Sequence, residues 1–166
     1  HLTEADWEIL EDEGCSVAFC PSSNLFLGSG LFDLPRLQFA NVKVGIGTDV
    51  GAGTSLSMLQ TIGDAYKTQR LAGNDLSPLR GLYMATLGGA KSLDCDADIG
   101  NFKIGKEADF TVLDPESTPL MSYRMQNCKS LEEMLAVIVL LGDDRAISAT
   151  YARGHCVHDR DIDEES

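Results

Sequence analysis

The first half of the chain alternates between strand-like and helix-like segments, and this order restricts the fold more than any other feature. Residues 16–20 predict a strand, which is followed by a loop rich in Ser, Asn and Gly at residues 21–30 and a helix at residues 31–40. Residues 42–48 predict a second strand, and a glycine-rich segment and a long helix come after it. Strands that alternate with helices in this way indicate parallel βα units and an α/β fold.

Apolar spacing and helix-start signals predict further helices in this half. They are residues 3–13 before Gly14, a long helix carrying Leu59, Ile62 and Tyr66, and a helix that starts at Ser77-Pro78 and runs to about residue 92. Together they predict that residues 1–95 are the βα part of the chain.

The second half changes character and is divided by the same signals. Residues 96–116 are turn-rich and lead into a β layer, with a strand at 108–113. Residues 117–145 are predicted to be helical, with Ser130 and Glu133 forming a possible capping box. Residues 146–158 predict a closing hairpin around Arg153-Gly154, and residues 159–166 a mobile acidic tail.

Composition narrows the classes of partner and compartment. With 26 acidic and 13 basic residues the formal net charge is -13, which disfavours nucleic acid as a partner. The apolar runs are too short to cross a bilayer, so no membrane partner is expected. The five cysteines are odd in number, scattered and without CxxC spacing, a pattern that favours a reducing cytoplasm.

Asp49 is the strongest candidate for chemistry. Side chains of a strand alternate between its two faces, so Val42 and its branched neighbours would pack on helices while Gly45, Gly47 and Asp49 share the opposite face. In a barrel, Asp49 would then point inward at the carboxyl end of the strand, where active sites of this architecture lie, with the glycines leaving room for a ligand. A carboxylate there could bind a metal and accept a proton from water.

Two other interpretations of Asp49 come from the same residues. Asp before a Gly-rich stretch commonly caps the following turn or helix, and on spacing alone this is the more frequent role. A phosphate-binding loop is excluded, because the third glycine of G-x-G-x-x-G would fall at Val50 and Asp49 would repel phosphate.

Several segments, in this order, resemble guanine deaminases within the amidohydrolase superfamily. They are Cys-Pro-Ser-Ser-Asn-Leu-Phe-Leu-Gly-Ser-Gly at 20–30, Val-Gly-Ile-Gly-Thr-Asp-Val-Gly-Ala-Gly at 44–53, Ala-Thr-Leu-Gly-Gly-Ala at 85–90, Ile-Gly-Asn-Phe at 99–102, Gly-Lys-Glu-Ala-Asp-Phe at 105–110 and Leu-Gly-Asp-Asp-Arg at 141–145. The resemblance extends to about residue 158.

This resemblance implies hydrolysis of guanine to xanthine and ammonia at one zinc ion in a distorted (β/α)8 TIM barrel followed by a small β-rich accessory domain. Asp49 would end the eighth strand, ligate the zinc and help to activate water, and residues 16–20 would be the seventh strand. Asn24 would lie near the site, where its side chain either contacts substrate or satisfies loop backbone groups. The whole protein would be a cytoplasmic homodimer acting on a small purine.

The family's metal-binding histidines and catalytic glutamate are expected upstream of residue 1. His1 is a candidate for one of them, but the resemblance places that histidine a few residues earlier. One ligand cannot hold zinc, which takes about four, so the chain is expected to be a C-terminal fragment that is inactive by itself. Two alternatives are another aminohydrolase acting on a different aminopurine, pterin or triazine, and a noncatalytic fragment or assembly module.

Two further clusters have ordinary interpretations. His155, Cys156 and His158 would place only two possible ligands on one strand face, which favours a terminal strand over a metal site. The run Asp143, Asp144 and Arg145 predicts either a local ion pair at a helix terminus or a contact near a neighbouring subunit.

Overall fold

The computed structural model describes residues 2–163, so His1 and residues 164–166 lie outside the described part of the chain. The α-helices within that part are α1 (Glu4–Asp12), α2 (Pro21–Leu27), α3 (Leu34–Phe39), α4 (Met58–Leu71), α5 (Pro78–Ala85), α6 (Leu87–Ser92), α7 (Pro119–Met125), α8 (Leu131–Leu141) and α9 (Arg160–Asp163). The strands are β1 (Ser16–Phe19), β2 (Lys43–Ile46), β3 (Phe110–Leu113), β4 (Ile147–Ala152) and β5 (His155–Asp159), and a 3-10 helix spans Asp144–Ala146.

The strands β1 and β2 pair in parallel, which confirms the predicted βα units. Ser16 lies opposite Lys43 and Phe19 opposite Ile46. The connection between the strands contains α2 and α3, and α4 follows β2. Parallel strands cannot be joined by a short turn, and this helical connection is long enough to join them.

The main core lies between this strand pair and the helices α4, α5 and α8. Phe19 and Ile46 from the strands meet Ile62 of α4, Met84 of α5 and Val139 of α8, all of them buried. Because the core takes one or two side chains from each element, it fixes the strand pair on a helical base.

The helix α1 confirms the predicted helix start. The Thr3 hydroxyl accepts the Asp6 N–H at 3.3 Å, and the Asp6 carboxylate accepts the Thr3 N–H at 2.7 Å. In α3 the predicted apolar face is also present, since Leu34, Leu37 and Ala40 are buried.

The prediction of a loop at residues 21–30 is wrong for the first part of this segment, because Pro21–Leu27 forms α2. Pro21 stands at the first helical position, where a missing N–H costs nothing. Gly28 ends the helix in the left-handed conformation at φ 66°, which glycine adopts without strain. These two residues delimit a helix whose Ser and Asn content favours a loop.

The single helix predicted from residue 78 to about 92 is divided at Thr86 into α5 and α6. Ser77 caps α5 as predicted, its hydroxyl accepting the Arg80 N–H at 3.2 Å. Thr86 has nonhelical angles, φ -123° and ψ -103°, and its hydroxyl donates to the Leu82 carbonyl at 2.7 Å. This side-chain bond offers the backbone an alternative to continued helix.

The helix α8 starts as the sequence predicts, with a modified cap. The Ser130 hydroxyl accepts the Glu133 N–H at 3.2 Å, but the Glu133 carboxylate accepts the N–H of Lys129 rather than that of Ser130.

No helix within residues 2–163, α8 included, has both the length and the apolar character needed to cross a membrane.

The strands β3, β4 and β5 form an antiparallel sheet that contains the predicted hairpin. Arg153 and Gly154 connect β4 to β5 with φ values of 52° and 77°, the positive pair that a two-residue hairpin turn favours. Phe110 of β3 stacks on Tyr151 of β4 at 4.5 Å between ring centroids. Aromatic cross-strand pairs of this kind fix the register.

The predicted acidic tail at residues 159–166 is ordered where the structure describes it. Asp159 ends β5, and residues 160–163 form α9. Arg160 donates to the Arg145 carbonyl at 2.7 Å and to the Asp114 carboxylate at 3.2 Å. A single basic residue within the acidic run therefore ties it to the sheet.

Replacing Gly63 tests the packing of α4 on α8. A Cβ at Gly63 would lie 2.9 Å from the Val139 carbonyl oxygen, a backbone atom that cannot rotate away. Gly63→Ala should therefore lower the free energy of unfolding by about 1 to 3 kcal/mol, as overpacking does. Thermal or denaturant unfolding measures this. Gln60→Ala on the exposed side of α4 is the control and should cause no loss; equal stability of Gly63→Ala would contradict the close contact.

The chain expressed by itself should self-associate. Within residues 2–163 the parallel sheet has only two strands, so its outer edges are unpaired, and Phe26 and Leu56 are 67% and 77% exposed. Open edges and exposed apolar side chains both promote association. Light scattering after size exclusion at several concentrations measures the mass; a monodisperse monomer that unfolds cooperatively would contradict the prediction.

Candidate functional site

The carboxyl ends of β1 and β2 lie side by side because the strands are parallel. The ladder continues one bond past the strands, with the Gly47 N–H donating to the Phe19 carbonyl at 3.0 Å. Cys20 and Asp49 therefore leave the sheet at the same edge. This edge carries the residues predicted for chemistry.

The branched face of β2 packs as predicted. Val42 and Ile46 are buried, and the half-buried Val44 packs against the same apolar clusters. The assigned strand ends at Ile46, however, and Asp49 has a left-handed φ of 49°. Strand alternation therefore stops before Asp49, and its direction follows from its contacts.

The prediction that Gly45 and Gly47 leave room for a ligand is wrong at both positions. A Cβ on Gly45 would lie 3.2 Å from the Cα of Gly89 in α6, and a Cβ on Gly47 would lie 3.3 Å from the Cys20 sulfur. The absence of side chains at Gly45 and Gly47 instead lets α6 and the Cys20 thiol lie close to the strand.

A tight turn holds the backbone of Asp49. Its carbonyl accepts the N–H groups of Ala52 at 3.1 Å and Gly53 at 2.5 Å. A Cβ on Gly53 would overlap the Thr48 carbonyl oxygen, so only glycine fits there. The following helix is capped by Ser57, whose hydroxyl accepts the Gln60 N–H at 3.3 Å. The helix is thus capped by Ser57, and the turn N–H groups of Ala52 and Gly53 bond the Asp49 backbone carbonyl and not its carboxylate, so the interpretation of Asp49 as a side-chain cap is wrong.

The Asp49 carboxylate is held by Ser23 of α2. The Ser23 hydroxyl donates to Oδ2 of Asp49 at 2.7 Å. Ser23 is 3% exposed, whereas Asp49 is an exposed residue. Among the described residues no hydrogen bond is formed by the second carboxylate oxygen, which is free to contact a ligand. Sequence analysis missed Ser23; Pro21 and Gly28, seven residues apart, were the available signal for its helix.

Asn24, on the next position of α2, is half-buried. Its backbone carbonyl accepts the Ser29 N–H at 2.9 Å at the end of the helix. Its side-chain amide makes no hydrogen bond to another residue of the described chain, so the predicted bonding of loop backbone by this side chain is not observed.

Cys20 adjoins the same carboxylate. Burial, and secondly the negative charge of Asp49, raise the pKa of the Cys20 thiol. Both effects disfavour the thiolate, which is the nucleophilic and metal-binding form. The Cys20 sulfur lies beside Gly47, 3.3 Å from where a Cβ of that residue would be.

The residues that the structure describes do not complete a metal centre. Among residues 2–163 no group of three or more His, Cys, Asp or Glu side chains has the arrangement to hold a metal ion. His155, Cys156 and His158 lie in β5, where the Cys156 thiol donates to the His158 carbonyl at 3.2 Å. The predicted terminal strand is confirmed there.

Asp143 and Arg145 form the predicted local ion pair. The Arg145 guanidinium donates to both Asp143 carboxylate oxygens, with the shortest distance 2.6 Å, and Asp143 caps the 3-10 helix. Hydrogen bonds from Arg145 hold the pKa of the Asp143 carboxyl below its usual value. The proposed contact with a neighbouring subunit stays a prediction.

The model of the amidohydrolase family matches residues 1–157, and the chain belongs to this family. It is 53% identical to guanine deaminase of Escherichia coli (strain K12) over 96% of this chain and 36% of the relative. It is 39% identical to a probable guanine deaminase of Deinococcus radiodurans over 98% of this chain and 38% of the relative. The chain thus spans little more than a third of the length of these curated relatives.

Solved structures show the same similarity. The E. coli guanine deaminase structure superposes with a TM-score of 0.95 over 96% of this chain and 38% of that chain, at 53% identity. An adenosine deaminase from Xanthomonas campestris with bound zinc superposes with a TM-score of 0.80 over 96% of this chain and 36% of that chain, at 28% identity.

Alkylation of Cys20 tests the placement of Asp49. Asp49→Asn removes the charge that helps to raise the thiol pKa, so at a fixed, mildly alkaline pH iodoacetamide should modify Cys20 faster in the variant. Mass spectrometry of peptides measures the rates, and Cys95 in the same sample is the internal control. An unchanged Cys20 rate would contradict the proximity of the two side chains.

Proposed function

We propose that the protein containing this chain hydrolyses guanine to xanthine and ammonia. The observation that carries the proposal is the 53% identity to E. coli guanine deaminase over 96% of the chain, with a TM-score of 0.95. The part of the chain covered by this similarity includes α2, which carries Ser23, and the turn that contains Asp49. A second relative, the probable guanine deaminase of Deinococcus radiodurans, is 39% identical over 98% of the chain, which also favours guanine as the substrate.

In this proposal β1 and β2 are neighbouring strands, the seventh and eighth, of a (β/α)8 barrel. Their parallel pairing and the helices that follow each strand support this arrangement. The antiparallel sheet β3–β5 would belong to the β-rich accessory domain. Active sites of such barrels lie at the carboxyl ends of the strands, which is where Asp49 lies.

Asp49 fits the role of one ligand to a divalent metal, which we propose to be zinc. It offers a carboxylate oxygen that has no hydrogen-bond partner among the described residues, while Ser23 holds the other oxygen. Zinc takes about four ligands, so other parts of the protein must supply the rest. When bound, such an ion lowers the pKa of a coordinated water toward about 7.

The chain's own contribution to the reaction is proton transfer at Asp49. The oxygen of water bonds to the guanine carbon that carries the amino group, and the C–N bond to that group breaks. One proton of the water joins the leaving amino nitrogen to give ammonia, and the other joins the ring nitrogen to give xanthine. In the proposal the Asp49 carboxylate accepts a proton that water loses and returns it to the leaving nitrogen, which is general base and then general acid catalysis. Asn24 follows Ser23 in α2, and its side-chain amide has no hydrogen-bond partner among the described residues. We propose that this amide contacts the purine.

We further propose a cytoplasmic homodimer. All five cysteines are free thiols in the structure, which supports a reducing compartment. The exposed apolar side chains on α2 and α8, such as Phe26 and Leu131, are available for subunit contacts.

The test uses the complete reading frame that contains this sequence, expressed with zinc. Guanine should be converted to xanthine with release of one ammonia, and Asp49→Asn should lower kcat by about 100- to 10,000-fold, the contribution of a positioned acid or base. Chromatography of the purines and an ammonia assay measure the products.

Asp64→Asn is the matched control, because Asp64 pairs with Lys67 on the surface of α4; it should retain full activity. Turnover of adenosine, a pterin or a triazine in place of guanine would move the assignment to another aminohydrolase. A metal-loaded protein without any such turnover would contradict a catalytic role.

A further inference from the structure

Ser23 stands out because its hydroxyl bonds across the fold rather than within its helix. Serine in a helix commonly donates to the carbonyl four residues earlier or caps the helix start. Ser23 instead donates to a carboxylate 26 residues away, at 2.7 Å. Ser23 itself is 3% exposed, so water can approach this bond only from the side of the exposed Asp49.

The bond restricts how the Asp49 carboxylate can turn. A carboxylate has about four acceptor positions on two oxygens, and rotation about its terminal bond is broad in the absence of partners. With Oδ2 bound to Ser23 and the backbone carbonyl bound by Ala52 and Gly53, both ends of the residue are fixed. The oxygen left for a ligand is then held in one direction.

Ser22 offers a natural contrast. It is the adjacent residue of α2, 5% exposed, and its hydroxyl has no hydrogen-bond partner among residues 2–163. Ser22 and Ser23 therefore have the same chemistry, helix and burial but differ in one contact. Comparing a variant that lacks the Ser22 hydroxyl with one that lacks the Ser23 hydroxyl therefore separates the effect of lost packing from the effect of the lost bond to Asp49.

We infer that Ser23 is a positioning residue that orients the Asp49 carboxylate toward the metal and the reacting water. The inference rests on the proposed function, since it assigns Ser23 a role in that same site. Groups that hydrogen-bond a ligating carboxylate set its orientation and strengthen metal binding, and their loss typically costs about 10- to 100-fold in affinity or activity.

The experiment compares Ser23→Ala, Ser23→Thr and Ser22→Ala in the zinc-loaded protein made from the complete reading frame. The rate of zinc release to a chromogenic chelator is measured first, followed by kcat and KM for guanine and the midpoint of thermal unfolding. Ser23→Ala should release zinc about 10- to 100-fold faster and lose a similar factor in kcat, with KM unchanged. Ser23→Thr keeps the hydroxyl and should restore both, and Ser22→Ala should match the parent.

Other outcomes overturn the inference in distinguishable ways. If Ser23→Ala only lowers the unfolding midpoint, leaving zinc release and kcat at parental values, the residue has a packing role alone. If Ser22→Ala impairs zinc retention equally, the effect belongs to the helix and not to the bond. If Ser23→Ala does not fold, a folded Ser23→Thr that releases zinc rapidly counts against the inference and one that retains zinc supports it. A parent protein with neither zinc nor guanine turnover overturns the proposed function together with it.

Discussion

The parallel pairing of β1 and β2 is the constraint on which the candidate site depends. Because Phe19 lies opposite Ile46, the chain leaves both strands at one edge, and the segments after them must pack against each other. The segment after β1 becomes α2, whereas the segment after β2 becomes the turn that holds Asp49. The hydrogen bond from Ser23 to Asp49 joins these two segments. A slip in the strand register would separate them.

The rigidity of this edge comes from the helices beneath it. Ile62 and Val139 bring α4 and α8 against the buried side of the strand pair, and the close approach at Gly63 lets the two helices meet through backbone atoms. Functional side chains are commonly placed on connections that such a scaffold supports. The close packing beneath the strands lets a carboxylate on an exposed turn keep a defined direction.

Sequence patterns predicted what depends on local periodicity and missed what depends on distant partners. The parallel strands, the buried Leu34 and Leu37 of α3 and the hairpin at Arg153-Gly154 follow from spacing and turn chemistry. The helix α2 has no apolar period, and tertiary burial overrides its loop-like composition. Ser23 was missed for a related reason, since its partner is 26 residues away. The resemblance to guanine deaminases singled out Asp49 as the candidate ligand, whereas strand alternation supplied no sound basis for the direction of its side chain.

Gly45 of β2 and Gly47 just after it have different surroundings, and this makes the two ends of the strand differ. Near its start, Gly45 allows α6 to approach until the Cα of Gly89 would lie 3.2 Å from an added Cβ, so that part of the face is closed by a helix. Past the end of the strand, the absence of a side chain at Gly47 lets the Cys20 thiol lie against it. The backbone then turns at Asp49, which is exposed. One face of the strand therefore passes from a closed apolar contact to an open polar edge within five residues. Within residues 2–163, the carboxyl end is therefore the open end of this face, and Asp49 is an exposed charged residue there.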